Sequence, residues 1–96
     1  MITILPSARK DLASGFAFYE SQEPGLGSYF MDSLFAEIDS LELYAGIHPA
    51  VFNYYRFLSK RFPYAVYYSM EAGTVLVKAV LDCRRDPAFI RRQLER

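Results

Sequence analysis

The chain has 96 residues, enough for one hydrophobic core and too few for two, so any functional surface is expected on a single domain spanning 1–96. Its 52% apolar content with eight Phe and eight Tyr excludes a disordered chain, and the lone Cys83 excludes an internal disulfide; no stretch reaches the roughly 20 apolar residues of a membrane helix, since Lys78 interrupts the best run, Thr74 to Leu81. The net charge is zero, yet residues 1–50 carry a balance of −5 and residues 51–96 a balance of +5, which fits an acidic or polyanionic partner for the second half as readily as two solvated faces attracting each other. Met1-Ile2-Thr3-Ile4-Leu5-Pro6 lacks the basic stretch and long apolar run of a secretory signal, so a cytoplasmic protein is expected. Ile2 to Leu5 is short and β-branched and reads as a strand; Ser7 is placed to cap the helix that follows. In that helix, Ala8 to Ser21, Ala8, Leu12, Phe16 and Tyr19 fall on one face, and Gly15 weakens it by roughly 1 kcal/mol relative to Ala. Glu23-Pro24-Gly25-Leu26-Gly27 breaks the pattern. A second helix is expected from Ser28 to Tyr44, with Phe30, Leu34, Ile38 and Leu41 in line, ended by Gly46 and Pro49. Two such helices fold back as an αα-hairpin.

From Val51 the period changes to that of strands, expected at Tyr54–Leu58, Tyr64–Met70 and Thr74–Leu81. Glu71-Ala72-Gly73 joins the last two as an antiparallel hairpin. Tyr64, Val66, Tyr68 and Met70 alternate with Ala65, Tyr67 and Ser69, which predicts a sheet aromatic on one side. Asp86 caps and Pro87 starts a last helix with Ile90 and Leu94 inward and Arg91, Arg92 and Arg96 near its end.

Several chemistries lack their residues. His48 stands alone between Ile47 and Pro49, without a second His or Cys nearby, so no metal is expected and the histidine reads as a turn residue. Gly25-Leu26-Gly27 follows a helix rather than a strand and fails the context of a phosphate loop, so no nucleotide cofactor is expected. Glu37 and Asp39 cannot point the same way on one helix, which removes a carboxylate pair. Cys83 beside Arg84 and Arg85 has no second motif to support a nucleophile and reads as a small buried or half-buried thiol. What remains is a set of arginines and tyrosines, Tyr54, Tyr55, Arg56, Arg61, Tyr64, Tyr67, Arg84 and Arg85. Guanidinium forks with aromatic rings suit macromolecular recognition, while the plain alternative is that the rings fill a sheet face and the arginines are solvated.

Asp11-Leu12, Phe18-Tyr19-Glu20, Pro24-Gly25-Leu26-Gly27 and Phe30, followed by Tyr55-Arg56, the run Arg61-Phe62-Pro63-Tyr64-Ala65-Val66-Tyr67-Tyr68, Ala79-Val80-Leu81 and Arg84-Arg85-Asp86-Pro87, together resemble the ParE/RelE superfamily of type II toxin–antitoxin toxins, the plasmid-stabilisation toxins among them. The Phe-Pro-Tyr run entering a strand and the Arg-Arg-Asp-Pro run closing the hairpin are its most specific pieces. The resemblance implies an α+β fold, a helical hairpin packed on a small antiparallel sheet in the order β-α-α-β-β-β-α. It also implies growth inhibition relieved by a cognate antitoxin. RelE-type members cut messenger RNA on the ribosome with Lys, Arg and Tyr side chains, whereas ParE-type members inhibit DNA gyrase. Here Tyr64 stands where the RelE-type arginine would enter the middle strand, and Phe89, which has no hydroxyl, where a C-terminal tyrosine would stand. Arg84 or Arg85 matches the arginine after the last strand, with Cys83 as the other alignment. The ribonuclease set is thus incomplete and no catalytic residue is assigned. The expectation is a ParE-like toxin that binds its target or antitoxin through Arg56, Arg61, Tyr64, Arg84, Arg85 and Phe89. The alternatives are a RelE-like ribosome-dependent endoribonuclease and an inactive homologue that only binds an antitoxin.

Overall fold

Pro6 starts the first long helix, because its fixed φ and missing N–H suit a first helical turn. In the computed structural model, which describes residues 1–96, strand β1 (Ile2–Ile4) leads into helix α1 (Pro6–Gln22), with extended Leu5 as the N-cap. Ser7 is not the cap: it lies inside the first turn, and its hydroxyl donates to the Lys78 carbonyl at 2.6 Å, tying the helix to the sheet. Helix α2 (Leu26–Asp39) folds back on α1, burying Phe30, Leu34 and Ile38 against Ala8 and Leu12. The Pro-Gly-Leu-Gly turn is fastened from α1. Gly25 adopts φ +92°, and the Glu20 carboxylate accepts from the Gly25 and Gly27 N–H groups at 3.0 and 2.9 Å, which caps α2 with a side chain of its neighbour. Gly15 is required rather than merely tolerated: a Cβ there would stand 2.5 Å from Cζ of Phe30, so the glycine allows the Phe30 ring to lie against the α1 backbone.

The second helix is shorter than its pattern implied. It ends at Asp39, where the Ser40 hydroxyl turns back to the Glu37 carbonyl at 2.6 Å, and a single separate turn, α3 (Leu41–Tyr44), follows. Strands β2 (Ala50–Val51), β3 (Tyr54–Leu58), β4 (Tyr64–Glu71) and β5 (Thr74–Asp82) and helix α4 (Pro87–Leu94) complete the chain. The order of the main elements is the expected one; β2 is an addition too short to show a period. The five-stranded sheet runs β1-β5-β4-β3-β2, antiparallel except that β1 joins β5 in parallel. Ala72 and Gly73, with φ +48° and +81°, form the tight turn between β4 and β5.

The sheet is covered on both faces. Val66, Tyr68, Val75, Val77 and Val80 pack under the helical hairpin, and Ala65, Tyr67, Ala79 and Leu81 pack under Ile90 and Leu94 of α4. Buried tyrosine therefore lies on each side, Tyr68 on one and Tyr67 on the other, where the alternation predicted an aromatic face and a plain one. Strand alternation alone sets these two neighbours on opposite faces, and a bulge opposite them alters β5. Tyr67 pairs with Ala79 and Tyr68 with Val77, leaving Lys78 unpaired, so β5 changes which of its residues face the hairpin. Beyond the bulge the Val80 N–H donates to Oδ2 of Asp11 on α1 at 3.0 Å, and the same carboxylate receives both terminal nitrogens of Arg96 at 3.0 and 2.9 Å. This single side chain joins α1, β5 and the end of α4.

Candidate functional site

A groove of about 480 Å³ opens where α1 and α4 flank the last residues of β5. It exists because β1 covers β5 only at Val75–Val77, leaving the far half of that strand without a neighbour on its outer side. Tyr64 and Leu81 reach it from the sheet, Phe18 from α1, and Arg85 and Phe89 from the α4 end.

Three of the six residues singled out in the sequence meet here. Tyr64 is half-buried beside the aromatic cluster of Tyr19, Phe30 and Phe62, with ring centroids 5.0 Å from Phe30 and 6.1 Å from Tyr19. Burial, chiefly, and the neighbouring Tyr19 and Asp82 push its hydroxyl up to about 12. Arg85 places its guanidinium carbon 3.6 Å from the centroid of the Phe89 ring, a cation–π contact that fixes both groups at the rim. The Asp86 carboxylate caps Phe89 N–H at 2.9 Å and sets where α4 begins.

Arg84 stands next to the groove but is engaged. Its Nε and Nη2 donate to the two oxygens of Asp82 at 3.0 and 2.7 Å. Those bonds hold the Asp82 carboxyl below the usual carboxylate range, and the guanidinium is raised in turn. Cys83, between them, is exposed, not the buried or half-buried thiol its neighbours implied, because its N–H is held by the Pro63 carbonyl while its side chain lies past the covered part of the sheet.

Arg56 and Arg61 lie elsewhere. Arg61 donates to the Tyr29 hydroxyl at 2.9 Å on the far side of the aromatic cluster. Arg56 faces Tyr67 across the β3–β4 pair, and its Nε is buried without a partner. The charge split seen in the sequence is barely spent within the fold. Arg96–Asp11 is the one side-chain ion pair joining the two halves, while Arg85, Arg91 and Arg92 stay exposed on one side of the sheet and Asp32 and Asp39 on the other.

The sequence reading missed Asp11, Phe18 and Arg96. Phe18 carried a signal, since an aromatic out of step with the Ala8–Leu12–Phe16–Tyr19 stripe is half-exposed here, at 50%. Asp11 and Arg96 are 85 residues apart and carried none. His48 holds its turn through Nδ1, 2.6 Å from the Tyr68 hydroxyl, and burial lowers its pKa. No three His, Cys, Asp or Glu side chains converge as metal ligands would, and no helix is long and apolar enough to cross a membrane.

No family model and no curated protein matches the sequence. Among solved structures, the chain is similar to one from the chromosomal ParDE TA system of P. aeruginosa, with a TM-score of 0.75 at 13% identity, over 82% of this chain and 90% of that one. At that identity the likeness establishes the fold: this chain has the α+β architecture of the ParDE chain.

Proposed function

We propose that the chain is the toxin component of a type II toxin–antitoxin pair, ParE-like in action, which arrests growth by binding a macromolecular target such as DNA gyrase and is neutralised by a cognate antitoxin. The fold supports the toxin–antitoxin half of this reading. The mode of action rests on one observation, the composition of the groove. Its lining groups include Arg85 stacked on Phe89, a Tyr64 hydroxyl pushed up to about 12, Lys10, an Asp11–Arg96 pair and the Asp82 carboxylate held by Arg84. At neutral pH Tyr64 keeps its proton and cannot act as a base, and Phe89 has no proton to give. Cleavage at a ribose 2′-hydroxyl needs a base and an acid as well as cations at the phosphate; Lys10 and Arg85 carry charge here, but the carboxylates that line the groove are engaged, Asp11 by Arg96 and Asp82 by Arg84. Recognition needs less. Rigid rings and a fixed guanidinium at the edge of a concave surface are the groups that dominate protein–protein binding.

The reading is tested by inducing the chain in bacteria and, in parallel, adding the purified protein to a gyrase supercoiling reaction. Growth arrest relieved by co-expression of the neighbouring reading frame, with supercoiling inhibited, is the expected result. Unchanged growth on induction would overturn the toxin reading and leave an inactive antitoxin-binding homologue. Arrest with gyrase unaffected would move the target elsewhere.

A further inference from the structure

His48 is the one histidine in the chain, and the connection between α3 and β2 closes on the sheet through it. The Tyr68 hydroxyl belongs to a side chain fully buried under the helical hairpin. It has two neighbours: the Gly46 N–H donates to it at 2.9 Å, and Nδ1 of His48 stands 2.6 Å away. Since Gly46 can only donate, the hydroxyl's own proton has Nδ1 as its acceptor. Nδ1 is therefore unprotonated, and the neutral ring carries its proton on Nε2.

A proton added to this ring has only Nδ1 to occupy. Nδ1 would then donate toward an oxygen that already receives Gly46, and the Tyr68 hydroxyl proton would be left in the core without an acceptor, which is costly. Burial lowers the pKa of His48, and no charged group adds to that effect. The charges on the elements packed around it are engaged or turned away. Glu37 of α2 takes the Lys60 N–H, and Glu42 of α3 pairs with the Met1 amino group at 3.4 Å. Arg56 of β3 lies beside Tyr67, and Glu71 of β4 lies near Arg91, both on the α4 face of the sheet. The titratable groups beneath the segment are phenols, Tyr68 of β4 and Tyr55 of β3, with stacked rings 5.1 Å apart.

Little else holds residues 45–51. Strand β2 makes two pairs with β3, the Pro49 carbonyl receives the Arg56 N–H at 2.9 Å, and Ile47 is 73% exposed. We propose that residues 45–51 form an acid-released strap, closed on Tyr68 through neutral His48 and detached from the sheet when Nδ1 takes a proton. Release uncovers the Phe57 and Tyr68 rings, whose centroids lie 5.4 and 5.7 Å from that of His48. The closed strap is fully favoured above the ordinary histidine value of about 6.5 and loses ground as pH falls below it, because the open strap binds the proton first. The strap stands apart from the groove and does not depend on the proposed function.

The test uses the full chain labelled with 15N. The single histidine gives one set of ring-nitrogen signals, and at pH 7.5 the unprotonated nitrogen is expected to be Nδ1. Amide exchange at Gly46, divided by its intrinsic rate, is expected to rise about tenfold from pH 7.5 to pH 5.5, as the open strap takes up its proton. Dilute urea is expected to leave the Gly46 rate unchanged while it speeds exchange at Val66 in the middle of β4, because local release exposes little surface. His48→Asn, which has no group titrating in this range, and Tyr68→Phe, which keeps the ring without the hydroxyl, are each expected to remove the pH dependence at Gly46. The proposal is overturned by a proton on Nδ1 at pH 7.5, or by Gly46 protection that is the same at both pH values in the wild type. An equal loss of protection toward acid in either variant, or a urea dependence at Gly46 matching that at Val66, would also overturn it.

Discussion

Replacing Gly15 with Ala sets two physical effects of opposite sign against each other in one position. Helix propensity favours the change by about 1 kcal/mol, since Gly is among the weakest residues in a helix interior. The packing opposes it. A Cβ at this position would stand 2.5 Å from Cζ and 2.6 Å from Cε2 of Phe30, and the ring would have to retreat by nearly 1 Å to reach ordinary contact. Phe30 has little room to do so, because it is fully buried, with its ring centroid 5.2 Å from Tyr19, 5.1 Å from Phe62 and 5.0 Å from Tyr64. Overpacking in such a setting costs about 2–3 kcal/mol, so the net destabilisation is about 1–2 kcal/mol, or a fall in Tm of roughly 5–10 °C for a domain of this size. Urea unfolding of the wild type and of Gly15→Ala measures it. A double variant that also carries Phe30→Leu supplies the cross-check, since with the ring removed Gly15→Ala is expected to become neutral or stabilising. A single variant that is as stable as the wild type, or more so, would refute the close-approach account of Gly15.

Asp11→Ala leaves the Val80 N–H and the Arg96 guanidinium without their shared acceptor, and about 2–4 kcal/mol of stability is expected to be lost in urea unfolding. Asp11→Asn, which keeps an oxygen for Val80, is expected to lose about 1 kcal/mol. His48 is held neutral in the fold, its pKa below the ordinary value of about 6.5, so the unfolded chain takes up the proton first; stability is complete above that value and falls as pH drops through it. Urea midpoints between pH 5 and 7.5 are expected to decline toward acid in the wild type and to flatten over that window in His48→Asn. Arg85→Ala is expected to change stability by no more than about 0.5 kcal/mol, and Arg84→Ala, which frees Asp82, by no more than about 1 kcal/mol, while the pair together relieves growth arrest on induction.

The long elements were legible because each carries its own period. The α1 stripe, the β4–β5 hairpin with its Ala72-Gly73 turn, and the Asp86-Pro87 start of α4 stand within a residue or two of where pattern and turn chemistry place them. What failed were positions where a distant partner overrides the local signal. Ser7 has a good capping sequence but is drawn to the Lys78 carbonyl, and the bulge at Lys78, which moves the hairpin-facing side of β5 from Val75 and Val77 to Val80, has no trace in a run of apolar residues. The site was half legible. Tyr64, Arg85 and Phe89 converge across the end of the sheet, but which arginines are free is decided by Asp82 taking Arg84 and by Tyr29 receiving Arg61. Neither pairing could be inferred from spacing.

The claim that the chain acts by binding rather than by cutting RNA is tested most directly by mapping transcript ends on translating ribosomes after induction. Growth arrest with no new, codon-phased 5′ ends is the result expected from a half-buried, protonated Tyr64 and a ring without a hydroxyl at Phe89. Ribosome-dependent cleavage that appears on induction and disappears in Arg61→Ala or Arg84→Ala would contradict it and identify those guanidinium groups as the phosphate-binding cations of a ribonuclease.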